Sequence, residues 1–137
     1  MKTSRLFLIC AAAIALQSCS TVAVTGRKQL ALVSDSQVLT SSLTQYNEYM
    51  TTATKSTNKT QTDMVVRVGK KIAAATENYL KNNGMASDVQ NFSWEFNLVK
   101  DDNVNAFCMP GGKIVVYEGL MKLVKSDDEL AVVVGHE

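Results

Sequence analysis

The sequence predicts an α+β fold: two helices, then a run of short strands, then a closing helix. Three observations carry this. Between about Gln61 and Asn82, apolar residues recur at helical spacing. Val65, Val68, Ile72, Tyr79 and Leu80 fall near one stripe, with Arg67, Lys70, Lys71 and Lys81 largely off it. The period then drops to two, as Phe92, Trp94, Phe96 and Leu98 alternate with Ser93, Glu95 and Asn97. Two more strand-like runs, 104–109 and 113–117, flank the breaker Pro110-Gly111-Gly112.

A chain of 137 residues holds one modest domain, and 46% hydrophobic with 20% charged residues excludes disorder and a coiled coil. The formal net charge is +1. Loss of Lys2 and Arg5 with a leader takes Lys+Arg from 14 to 12 against 13 acids, so the mature chain sits near −1. No clustered basic excess exists for a nucleic-acid partner.

Residues 1–18 read as a secretory signal peptide rather than as fold. Met1 to Arg5 is a short basic head, and Leu6 to Leu16 is an uncharged apolar run too short to span a bilayer, which takes about 20 residues. Leu16-Gln17-Ser18-Cys19 resembles a bacterial lipobox, in which the Cys becomes the acylated first residue. Several acyl chains on Cys19 would give a stable membrane anchor. The alternative is an ordinary cleaved signal with a chance Cys. Cys10 leaves with the leader and Cys19 is the lipidation site, so Cys108 alone remains and no internal disulfide is available. Cys108 reads as a small buried apolar residue.

Residues 19–33 form the lipidated Cys and a polar tether. Ser34-Asp35-Ser36-Gln37 has capping-box spacing, so a helix follows, with Val38, Leu43, Tyr46 and Met50 available for one side. Thr51 to Asp63 is a loop or frayed helix end. Asn82-Asn83-Gly84 supplies a left-handed cap for the helix at 61–82. Asp101-Asp102-Asn103 makes a turn, Gly119 ends the third strand, and Leu120 to Val124 forms a short helix. Ser126 with Glu129 is a second capping box, and the apolar run Leu130 to Val134 predicts a buried helix. Gly135 costs about 1 kcal/mol in a helix relative to Ala, so it serves close packing or site access.

That helix ends on His136 and Glu137. In the motif H-E-x-x-H, two His one turn apart bind one zinc ion and the Glu acts as general base. His136 and Glu137 fit the first two places. On these two residues alone, an ordinary surface or core His is the better reading.

The surroundings change that. Val24-Thr25-Gly26-Arg27-Lys28-Gln29-Leu30, the helix at 61–82, Asn105-Ala106-Phe107-Cys108-Met109-Pro110-Gly111-Gly112-Lys113-Ile114-Val115-Val116, Gly119-Leu120 and Asp128-Glu129-Leu130-Ala131-Val132-Val133-Val134-Gly135-His136-Glu137 occur in this order. Together they resemble the HtpX and CAAX-prenyl-protease group of zinc metallopeptidases (peptidase family forty-eight), and more narrowly its periplasmic lipoprotein branch. The resemblance covers most of 24–137, with 51–60 and 84–91 nonspecific.

The resemblance implies a gluzincin fold, with a small mixed sheet packed on helices. It implies one Zn2+ held by two His and a later Glu. His136 matches the first metal ligand and Glu137 the general base. Asn105, Ala106 and Phe107 match the substrate-binding edge strand, where a protein or peptide substrate adds as a further strand. Residues 34–137 are then the amino-terminal part of a peptidase domain, with the second His and third ligand beyond it. Such a fragment is expected to be inactive and marginally stable. The implied activity is a zinc-dependent endopeptidase of the bacterial envelope acting on misfolded or exposed proteins. Ser20 after Cys19 favours the outer over the inner membrane. The rival is a non-catalytic envelope lipoprotein acting as a binding or structural module.

Overall fold

The computed structural model describes residues 19–21, 28–30 and 33–137. The expected signal peptide and residues 22–27, 31 and 32 of the tether lie outside the described residues. The chain divides into two units, Met1–Gln37 and Val38–Glu137. In the first, β1 (Cys19–Thr21) pairs antiparallel with β2 (Lys28–Leu30), Cys19 opposite Leu30. The expected tether thus contains a two-stranded ribbon.

Helix α1 (Asp35–Thr52) starts at the capping box read from the sequence. Ser34 N–H donates to Gln37 Oε1, and Gln37 N–H donates to Ser34 Oγ, both at 3.3 Å. Tyr46 is buried and Leu43 and Met50 are half-buried, as expected, but Val38 is 43% exposed. The helical repeat sets Leu39, Leu43, Tyr46 and Met50 on one line, and Val38 falls one residue off it.

The loop expected over 51–63 is shorter, because α2 (Lys59–Asn82) begins earlier. Asn58 caps it, its side chain accepting from Gln61 N–H at 3.1 Å. Val65, Val68, Gly69, Ala73 and Leu80 are buried, whereas Tyr79 is 44% exposed. Tyr79 lies on the same side of the helix as buried Val68, so its exposure reflects where along α2 the packing partners reach and not its angle around the helix. At the far end Asn83 N–H and Met85 N–H both reach the Leu80 carbonyl, and Gly84 takes φ +77°. The stretch after it, nonspecific in sequence, forms a short 3-10 helix, Ala86–Asn91.

The sheet has order β3-β5-β4, from β3 (Glu95–Val99), β4 (Ala106–Met109) and β5 (Lys113–Tyr117). β3 pairs parallel with β5 and β4 antiparallel, so the sheet is mixed. β3 starts three residues later than the alternation at 92–98 predicts. There Phe92 and Trp94 stack with centroids 4.6 Å apart, and Trp94 Nε1 donates to Glu77 at 3.0 Å. β4 likewise starts at Ala106, leaving Val104 59% exposed. Pro110-Gly111-Gly112 is the hairpin loop, with Gly112 at φ +80° under the Trp94 ring. Gly119 does not end β5. It lies within α3 (Glu118–Met121), which replaces the helix expected at 120–124 and starts two residues sooner. Gly119 N–H donates to the Asp101 carbonyl at 2.8 Å, which pins the turn before β4 onto α3.

Each face of the sheet carries its own core. On one, Val65 and Val68 of α2 meet Leu98, Ile114 and Val116, together with Leu130 and Val134 of the last helix, α4 (Asp127–His136). On the other, Tyr46 of α1 packs on Val99 and Val115. The result is the α+β arrangement expected, with helices on both faces of a small mixed sheet.

Candidate functional site

Helix α4 carries the two residues singled out by the motif. Its start is held by Ser126, whose Oγ accepts from Glu129 N–H at 3.2 Å. Glu129 Oε2 reaches back past Ser126 and accepts from Lys125 N–H at 2.7 Å. In the first turn, Asp127 accepts two bonds from Arg67 of α2. The helix is half-buried, not buried throughout as its apolar run suggests. Leu130 and Val134, one turn apart, face the sheet, while Val132 points outward and is 75% exposed. Among the described residues nothing lies within 4 Å of where a Cβ on Gly135 would stand. His136 and Glu137 follow, both exposed.

The neighbour of this helix end is β4. Cys108 is exposed rather than buried, because it lies two residues along an edge strand from Ala106, past the cover that α2 and α4 give. Its thiol is pushed up, first by partial shielding of the sulfur and second by the Glu137 carboxylate. Helix α4 itself packs against β4, which sets the end of that helix near the open strand. Sequence reasoning set Cys108 aside, and the signal that finds it is strand alternation. Ala106 faces the helices, so Cys108 shares that face.

β4 is an edge strand, and its hydrogen-bonding pattern can be assigned. Tyr117 N–H donates to the Asn105 carbonyl at 3.1 Å. In an antiparallel ladder bonded and non-bonded pairs alternate. Asn105, Phe107 and Met109 therefore turn their main-chain groups toward β5, and Ala106 and Cys108 turn theirs to the outer edge. Among the described residues no backbone bond reaches Ala106 or Cys108 from outside. The opposite edge of the sheet is partly closed. Lys55 bridges Val99, Lys100 N–H donates to the Thr54 carbonyl at 2.8 Å, and Ser56 N–H donates to the Leu98 carbonyl at 2.9 Å. Of the three expected substrate residues, Asn105 is exposed, Ala106 is buried among the helices, and Phe107 is half-buried against α1.

A catalytic zinc needs three protein ligands and an open position. The described residues contribute one imidazole at the end of α4, and among them no group of three His, Cys, Asp or Glu gathers to hold a metal. By themselves they do not fit a complete zinc centre.

Residues 59–137, from the start of α2 to Glu137, match peptidase family M48. The chain belongs to that family. Within it, a 57-residue stretch is 49% identical to the mitochondrial metalloendopeptidase OMA1 of Arabidopsis thaliana, covering 42% of this chain and 12% of that protein. The OMA1 of Schizosaccharomyces pombe is 41% identical over 51 residues, 37% of this chain and 15% of that protein. The OMA1 of Saccharomyces cerevisiae is 37% identical over 46 residues, 32% of this chain and 13% of that protein. The chain thus spans only 12–15% of the length of these curated relatives. The M48 match runs through α2, the mixed sheet and α4.

Proposed function

We propose that this chain is the amino-terminal part of a zinc-dependent metalloendopeptidase, with His136 as the first metal ligand and Glu137 as the general base. The observation that carries the reading is that helix α4, which leads into His136 and Glu137, packs against the open edge strand β4, in a chain that belongs to a metallopeptidase family. The further metal ligands belong to the part of the protein that lies outside this chain's share of its relatives.

The edge strand supplies the substrate's place. An extended protein or peptide segment adds along β4, bonding to the main-chain groups of Ala106 and Cys108. Asn105 sets the start of that edge by its bond to Tyr117, and Phe107 supports it from the α1 side. His136 would contribute one ligand to a zinc ion, whose chemistry there would be that of a Lewis acid toward a water and the scissile carbonyl. Glu137 takes the proton of the attacking water and returns it to the leaving amine.

The finer placement, in the lipoprotein branch of the HtpX and CAAX-prenyl-protease group, rests on the leader. The basic head, the apolar run and Leu16-Gln17-Ser18-Cys19 stand in the order that bacterial export requires. The protein is then anchored by acylated Cys19 in the bacterial envelope, facing the periplasm, with Ser20 favouring the outer membrane. Its substrates are misfolded or exposed envelope proteins. "Mitochondrial" in the names of the relatives describes those proteins.

Metal content tests the reading. The full-length protein should hold one zinc per chain, and His136→Ala should lose it. A full-length protein without zinc would leave the non-catalytic lipoprotein module as the better account.

A further inference from the structure

The open edge of β4 is flanked by two unlike faces. Successive side chains of a strand alternate between faces, so a peptide added to β4 places every second side chain on each. One face holds Ala106, Cys108 and helix α4, which leads into Glu137. The other holds Phe107 and Met109, both half-buried and packed on the α1 core. Tyr49 of α1 stands edge-on to Phe107, with centroids 5.3 Å apart and planes at 82°. Tyr117 meets the same ring edge-on at 6.2 Å and 85°. Phe107 is thus fixed from two sides by aromatic edges, and Met109 extends the surface along the strand. Below lie buried Tyr46, Val99 and Val115.

We propose that this shelf selects the substrate: side chains projecting to the α1 face are aromatic or large aliphatic, and Tyr49, Phe107 and Met109 receive them. The proposal rests on the reading of β4 as the substrate's docking edge. Its physical basis is that Phe107 and Met109 leave area that an apolar side chain covers and a charged one is desolvated against. Half-exposed aromatic faces favour rings in offset or edge-on contact, and Met adapts to the shape of its neighbour. On the face that α4 covers, β4 offers only the small side chains of Ala106 and Cys108, so selectivity recurs at every second position of the substrate and relaxes between.

The test uses the zinc-loaded full-length protein and quenched fluorescent peptides in which each position in turn is Phe, Leu, Ser, Asp or Lys. Wild-type protein should favour Phe or Leu over Ser by at least about tenfold in kcat/KM at two positions spaced by two, with the residue between them tolerant. Phe107→Ala should cut that ratio several-fold. Met109→Lys, at the outer end of the shelf, should move the preference at one of these positions toward Asp, and it covers the case in which Phe107→Ala fails to fold. A flat wild-type profile overturns the proposal, as does a folded Phe107→Ala that keeps the full ratio. Loss of the underlying reading looks different: no peptide of any composition is cut in a zinc-dependent way, and the proposal falls with it.

Discussion

Arg67 grips Asp127 with two prongs, Nε to Oδ2 at 2.7 Å and a terminal nitrogen to Oδ1 at 2.6 Å. The pair ties the middle of α2 to the first turn of the helix that ends on His136. Leu130 and Val134 are buried along that helix with Ala131 and Val133 partly buried beside them, and the ion pair fastens its first turn. Arg67 holds the Asp127 carboxyl below the usual carboxylate range, by hydrogen bonding first and charge second. A lowered carboxyl stabilises the fold above its ordinary pKa, and the contribution is lost as pH falls through the lowered value. Asp127→Asn should therefore flatten the acid side of the stability–pH curve. Arg67 is exposed and Asp127 only half-buried, so the effect is small and shrinks with salt. Urea unfolding from pH 2 to 7 at low and high salt measures it, and identical curves for variant and wild type would remove the pair from the account.

A second ion pair sits deeper. Lys113 is only 4% exposed, and its Nζ donates to Glu95 Oε1 at 2.8 Å and to the Ser93 carbonyl. Tyr46 donates to the other Glu95 oxygen at 2.9 Å and accepts from Asn97 at 2.7 Å. Glu95→Ala leaves a buried ammonium and a buried hydroxyl short of a partner, at a cost of about 2 kcal/mol. Adding Lys113→Met to Glu95→Ala should recover part of the loss, because it removes the orphaned charge. Equal stability of the single and double variants would argue against this network.

Gly119 is a packing glycine. A Cβ there would stand 2.2 Å from the Asp102 carbonyl oxygen and 2.3 Å from that of Asn103. These are backbone atoms in the turn before β4, so the turn itself must move. Gly119→Ala should cost about 1–3 kcal/mol in chemical unfolding and displace the edge strand. An unchanged unfolding midpoint would show that the turn yields freely.

Cys19→Ala should move the protein from the membrane fraction to the soluble fraction, since one residue carries all the acyl chains. Unaltered membrane attachment would mean that something other than a lipid on Cys19 holds it.

Much of the fold was legible because each local signal agreed with its neighbours. The two capping boxes, the Asn82-Asn83-Gly84 cap and strand β5 stand where residue chemistry places them. Burial was read less well. Tyr79, Val38 and Val132 are as apolar as their buried neighbours, and only the tertiary contacts that reach each position separate them. Cys108 failed for a related reason: composition calls it a core residue, but an edge strand outruns its helical cover. Of the proposed site, His136, Glu137 and the β4 edge were named from sequence. The packing of α4 on β4 was not, because the two elements are separated in sequence by β5 and α3 and only the folded sheet closes that gap.

The central claim is that Glu137 moves the proton in peptide hydrolysis. The most direct measurement is kcat for a peptide substrate, with zinc content, for wild-type and Glu137→Gln full-length protein. The account predicts a fall in kcat of roughly 10²–10⁴-fold with zinc retained. Proteolysis undiminished in a zinc-loaded Glu137→Gln protein would contradict it.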